Sequence, residues 1–260
     1  MVAGIILVAV IFLGIFADFL PLDDPLKQDA LNRLQPPGGE NLMGTDNFGR
    51  DVFSRIIYGA RSSLYMAITS VALGTLLGTL IGVVSAYRGG WTDMVLQRMT
   101  DILLGFPILV LAVIVVVALG PSANTVMLAI TIGVMPQMVR LARSCFLSVK
   151  EETFVTTARA MGMSSPRIIF KHIFPHAVSP IIAYATGFVG IALIAESALH
   201  FLGLGVPPPH PSWGGILQEG RVYLEVSPWL AVFPGIVLSI TVFSFVFVGD
   251  ALRDLLDPGE

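Results

Sequence analysis

The chain has 260 residues, 55% of them hydrophobic and 13% charged, with a mean hydropathy of +0.82. Soluble domains carry about 25% charge, so this composition excludes an ordinary soluble domain. A net charge of −3 without a Lys/Arg cluster excludes a nucleic-acid-binding face, and one cysteine, Cys145, excludes an internal disulfide or a multi-cysteine metal cage.

Six apolar runs cover 1–17, 62–86, 102–120, 121–139, 177–199 and 229–249, and Glu196 is the one charged residue inside them. Each approaches or exceeds the ~17–25 residues a helix needs to cross the hydrocarbon layer. The expected fold is therefore all-α: a polytopic membrane protein with six transmembrane helices.

The first run, 1–17, lacks a basic flank and a small-x-small cleavage site, so it reads as a retained transmembrane helix rather than a secretory signal. Residues 18–61 hold Pro21, Pro25, Pro36, Pro37 and Gly38-Gly39, an irregular extracytoplasmic loop. Its second half, Asn47 to Arg61, sets Phe48, Val52, Ile56 and Ile57 on one helical face, which predicts an amphipathic helix on the membrane. The second run carries Gly74, Gly78 and Gly82, two overlapping GxxxG patterns. Such spacing lets helices approach closely, within the chain or against a partner subunit. After a short loop at 87–101, the third and fourth runs meet at Gly120-Pro121-Ser122, a tight turn.

Residues 140–176 hold six Lys/Arg against Glu151 and Glu152, which places this loop and both termini in the cytoplasm by the positive-inside rule. Within 150–176 a helix is expected from Glu151 to Met161, stopped by Gly162. A second helix opens at Ser165-Pro166, with Ser as N-cap, and Pro175 interrupts it before the fifth span. The product is a helix–turn–helix elbow with Thr156, Thr157, Ala158 and Ala160 near its bend. Segment 200–228 is an extracytoplasmic loop containing GLGVPPPHPSWGG, and 250–260 is a cytoplasmic tail. Residues 62–249 then form a five-helix core. Trp91, Trp213 and Trp229 fall in or beside the interfaces, as an aromatic belt would have them.

The 150–176 segment resembles the cytoplasmic EAA loop of ABC importer permeases: E-A-A, three residues, Gly, nine residues, then I-x-L-P. Thr156-Thr157-Ala158 stand at the E-A-A positions, and Ala158, Gly162 and Pro175 match literally. Three further segments resemble the peptide-type branch of that family: MGTDNFGRDVFSRIIYGARSSL (43–64), ESALHFLGLGVPPPHPSWGGILQEGR (196–221) and VGDALRDLLDP (248–258). Together the motifs look like a C-type permease of a dipeptide, oligopeptide or nickel ABC importer, with the type I importer permease fold. Such permeases carry a polar stretch before the first span. Here the apolar run starts at Met1, which points to a shortened or misassigned start.

The resemblance implies half of a translocation pore in the inner membrane, completed by a B-type permease, driven by two ATP-binding subunits and supplied by an extracytoplasmic solute-binding protein. It implies that Glu152, Thr156, Thr157, Ala158, Ala160, Met161, Gly162 and Pro175 form the ATPase-coupling loop. The residues agree that ATP is hydrolysed elsewhere: no G-x-x-x-x-G-K-[ST] occurs, and no Gly precedes any of the three lysines. No catalytic, cofactor or metal site is expected. Glu196, in the last turn of the fifth span, is either a structural anchor of the following turn or a gate, together with His200, Gly203 and Gly205. An ion-coupled secondary transporter would need midplane charges that five of the six runs lack. An intramembrane hydrolase would need a nucleophile context that does not occur. Cargo is left open among dipeptides, longer peptides, glutathione and nickel chelates.

Overall fold

A computed structural model describes residues 1–256; the end of the expected tail, 257–260, lies outside the described residues. The described chain is helical: α1 (Val2–Ile15), α2 (Val52–Arg88), α3 (Gly90–Leu104), α4 (Ile108–Leu119), α5 (Ala123–Lys150), α6 (Thr153–Ala160), α7 (Ser165–Ile168), α8 (Phe174–Phe201), α9 (Trp213–Gly220) and α10 (Trp229–Leu256). A wider π-turn, Ile169–Ile173, joins α7 to α8 without a break.

The expected count of six spans is not reached by helix length and composition among the described residues. Four helices are long and apolar enough to cross a membrane: α2, α5, the Ser165–Phe201 rod and α10. The run 102–120 is broken, because α3 and α4 meet at 89° across Gly105-Phe106-Pro107. Proline removes a helical donor and restricts the residue before it, so the helix stops here and a new one starts. With 14 residues, α1 is about 21 Å long at 1.5 Å per residue, short of the ~30 Å hydrocarbon layer.

Upstream of Pro107, α3 takes in most of the expected 87–101 loop. Its polar side is strapped to the neighbouring helices. Arg143 of α5 donates to both carboxylate oxygens of Asp93, at 2.7 and 2.6 Å, and Ser85 of α2 donates to the same group at 2.5 Å.

The amphipathic helix expected over 47–61 is replaced by two structures. Residues 47–51 form a turn, closed by an antiparallel pairing of Thr45 with Asp51. From Val52 onward the chain is already the start of the 37-residue α2, capped by the Asp51 carboxylate on the Ser54 N–H. Val52, Ile56 and Ile57 are buried in the core rather than laid on a bilayer. Other parts of the chain cover this face, α9 among them, whose Trp213 reaches the Ile56 carbonyl.

The core forms where α2, α5, α8 and α10 meet, and the α2–α5 contact is the most extensive. Gly74, Gly78 and Gly82 all face α5. A Cβ at Gly78 would stand 2.6 Å from Met138 Cβ, and one at Gly82 2.6 Å from the Val139 carbonyl. In lipid, helices gain little hydrophobic drive from one another, so backbone-close packing of this kind supplies the adhesion. The GxxxG face is used inside the chain.

Candidate functional site

The elbow is built from the polar end of α5 outward. After Lys150 the chain turns, and α6 runs for eight residues from its N-cap, Glu152. It ends in a Schellman closure: the Gly162 N–H bonds the Arg159 carbonyl at 3.0 Å and the Met163 N–H bonds the Ala158 carbonyl at 3.2 Å. Gly162 takes φ +77°, a conformation that any side chain would strain, and nothing else crowds it.

One side of α6 is buried. Val155 and Ala158 pack with Ala86, Phe146, Ile168, Ile173 and Ala177, a small apolar cluster apart from the main core. It clamps the elbow to α2, α5 and the start of α8. The opposite side carries Thr156, Thr157, Arg159 and Ala160, followed by Met161 at the tip, all exposed. Both threonine hydroxyls turn back to the Thr153 carbonyl, at 2.9 and 2.8 Å.

Three expectations about the elbow meet a different arrangement. Ala158, expected at the coupling contact, is 2% exposed and turned into the elbow's own apolar cluster. Pro175 does not interrupt a helix. It stands at the second position of α8, directly after the π-turn, which absorbs the donor that proline lacks. The N-cap of α7 is Ser164 rather than Ser165.

On the far side of the bundle, two buried polar networks hold the loops to the helices. In the first, Asp46 Oδ2 accepts from Arg50 Nε at 2.6 Å and from Arg55. Both arginines also reach Glu219 of α9, at 2.9 and 2.8 Å. The second surrounds Glu196, which is fully buried and lies more than a turn before the end of α8, not in its last turn beside water. Ser63 Oγ donates to Glu196 Oε1 at 3.2 Å and itself accepts the Trp213 N–H at 3.2 Å; Ser197 Oγ donates to Oε2 at 3.1 Å.

His200 lies 3.2 Å from Glu196 Oε1 through Nδ1, and its Nε2 accepts the Val206 N–H at 3.0 Å. An accepting Nε2 carries no proton, so this geometry suits the neutral ring with hydrogen on Nδ1. The Glu196–His200 pair therefore ties α8 to α2, α9 and the 202–206 loop. Gly205 lies against the His200 ring, where a Cβ would come within 2.1 Å. Gly203 turns the chain at φ +78°.

Residues 74–260 match the family described as binding-protein-dependent transport system inner membrane component. The chain belongs to this family. It is 43% identical over 254 residues to the dipeptide transport system permease protein DppC of Alkalihalophilus pseudofirmus, covering 98% of this chain and 84% of that relative. It is 39% identical to a putative peptide transport system permease protein of Brucella suis, over 98% and 86% of the two chains. To the glutathione transport system permease protein GsiD of Pectobacterium atrosepticum it is 38% identical, over 98% and 85%.

Among solved structures, the inward-facing MetNI methionine ABC transporter superposes with a TM-score of 0.64 at 19% identity, covering 78% of this chain and 97% of the other. An amino acid ABC transporter gives 0.59 at 14%, covering 78% and 94%. At these identities the likeness is one of fold. The chain is a multi-pass transport permease of the inner-membrane family.

Two features of the permease escaped the sequence reading. The Asp46–Arg50–Arg55–Glu219 network was signalled only by the charge spacing inside GTDNFGRD, and Glu219 joins it from 164 residues beyond Arg55. Trp213 is wholly buried, with its indole N–H on the Ile56 carbonyl at 3.0 Å, and so belongs to no interfacial belt.

Proposed function

We propose that this chain is one of two paired permeases of an ATP-driven importer for short peptides, with both termini and the elbow in the cytoplasm. The reading takes a B-type permease as the other half of the pore, two ATPases beneath, and a binding protein that delivers cargo to the outer loops. The observation that carries it is the elbow. A short helix exposes Thr156, Thr157, Arg159, Ala160 and Met161, while Val155 and Ala158 lock its other side to the ends of α2, α5 and α8. A push on the exposed side is transmitted to these three membrane rods at once, as a rigid lever requires. The dipeptide and peptide relatives support the cargo class, and the sign and number of Lys/Arg in 140–176 support the orientation.

The test is ATP-driven uptake of a labelled dipeptide by the complex reconstituted with its paired permease, ATPases and binding protein. Thr157→Glu places a charge on the exposed side and is expected to lower uptake and coupled hydrolysis at least tenfold while the permeases still assemble. Unchanged uptake would remove the elbow from the mechanism. If glutathione is carried in strong preference to dipeptides, the cargo assignment is overturned.

A further inference from the structure

Most of the surface that the rods present sideways is apolar. Between Ile68 and Val84, the exposed residues of α2 are Ile68, Ala72, Leu73, Leu76, Leu77, Leu80 and Val84. The inner half of α5 differs. From Gln137 to Lys150, its exposed residues are Arg140, Ser144 and Ser148, and Gln137 is half-exposed on the same side. At 100° per residue these four fall within about 80° of one another, one continuous stripe.

Across the stripe, Tyr184 of α8 donates its hydroxyl to Gln137 Oε1 at 3.2 Å, and Asp101 of α3 pairs with Arg140 at 2.7 Å. The stripe starts at the elbow end of α5 and stops where α4 closes over the helix, with Ile108 packed against Gly133. Gln137 is about 20 Å from either end of α5 and lies inside its apolar run, 121–139.

Carboxamide, hydroxyl and ion-pair groups are costly to hold against hydrocarbon and are tolerated on a spanning helix where they line water or are buried in protein. These groups are not buried. We propose that the Gln137–Arg140–Ser144–Ser148 stripe, with Tyr184, lines the inner half of the translocation path, which is wet from the elbow side as far as Gln137. The inference rests on the transport reading. It adds a substrate preference. Arg140 is neutralised by Asp101, so the wall offers uncharged donors and acceptors that suit the backbone amides of a peptide whatever charge its side chains bear.

The test uses the assembled importer in sealed vesicles, in a Cys145→Ala background that leaves the chain without a thiol. Single cysteines at Gln137, Ser144 and Ser148 are exposed to a membrane-impermeant methanethiosulfonate from each face in turn. Leu76→Cys and Leu80→Cys serve as apolar controls, and Thr157→Cys reports which face bears the elbow. Thiolate reacts and thiol does not, so rate reports contact with water.

The three stripe positions are expected to react at least tenfold faster than the controls, and only from the elbow face. Rates within twofold of the controls would overturn the proposal. Fast reaction at Ser148 and Ser144 with none at Gln137 would overturn the extension of the wet path into the apolar run. Gln137→Leu is expected to raise the KM for charged and uncharged dipeptides by the same factor, and a split between them would overturn the backbone-amide preference. Fast labelling in a complex that imports no peptide would refute the transport reading and leave the wet stripe standing.

Discussion

The α2–α5 contact gives the sharpest stability test, because the three glycines on one face differ in how much room they have. At Gly78 an added Cβ would lie 2.6 Å from Met138 Cβ and 2.7 Å from the Met135 carbonyl. Ordinary contact begins near 3.4 Å, so the helices must part by about 0.8 Å. A gap of that size forfeits a quarter to a half of the dispersion well wherever it opens, and overpacking of well-packed cores costs ~1–3 kcal/mol per site. Alanine returns up to ~1 kcal/mol as the better helix former, so with two clashes on poorly movable atoms a net loss of about 1–3 kcal/mol is expected for Gly78→Ala.

Gly82→Ala meets the Val139 carbonyl at 2.6 Å and should cost about as much. Gly74→Ala meets Val134 and the Thr131 carbonyl at 3.1 and 3.2 Å and should cost less. Gly187→Ala, with nothing within 4 Å, should be neutral or slightly stabilising. Thermal unfolding of the four variants in one detergent, followed by the half-buried Cys145 thiol becoming reactive, gives the ranking. If Gly78→Ala melts with or above Gly187→Ala, the close-packing argument for this interface is wrong.

The polar networks give further outcomes. Arg55→Ala leaves Asp46 short of a partner and weakens the hold on Glu219, so a loss of ~3–5 kcal/mol is expected. Limited proteolysis is then expected to cut the 20–51 loop in the variant and to leave it intact in the parent chain. Glu196→Ala strands the Ser63 and Ser197 hydroxyls in the core and should lower stability by about 1–3 kcal/mol, whereas Glu196→Gln, which keeps an acceptor, should recover most of it in the same thermal assay. Asp93→Asn breaks the two-pronged pair with Arg143; at a partly exposed site this should cost about 1 kcal/mol and raise amide exchange in α3 without altering α8.

The residues alone determined the membrane class, because hydrocarbon admits no stray charge and six runs free of it, save Glu196, leave few other solutions. They also determined the place of the elbow: the stop at Gly162 needs only a positive φ, which is a local property. What the tertiary structure decided depends on what stands opposite each residue. Val52, Ile56 and Ile57 make the same apolar face whether bilayer or α9 covers it, and only the packed chain shows that it is protein. Pro175 reads as a helix breaker until the π-turn before it takes up the missing donor. Ala158 is small for the sake of its own chain, since Phe146 and Ile173 lie against it, while its neighbours Thr156 and Thr157 face outward. Glu219 and Arg55 are 164 residues apart, and no local pattern can announce a pair that only folding brings to 2.8 Å.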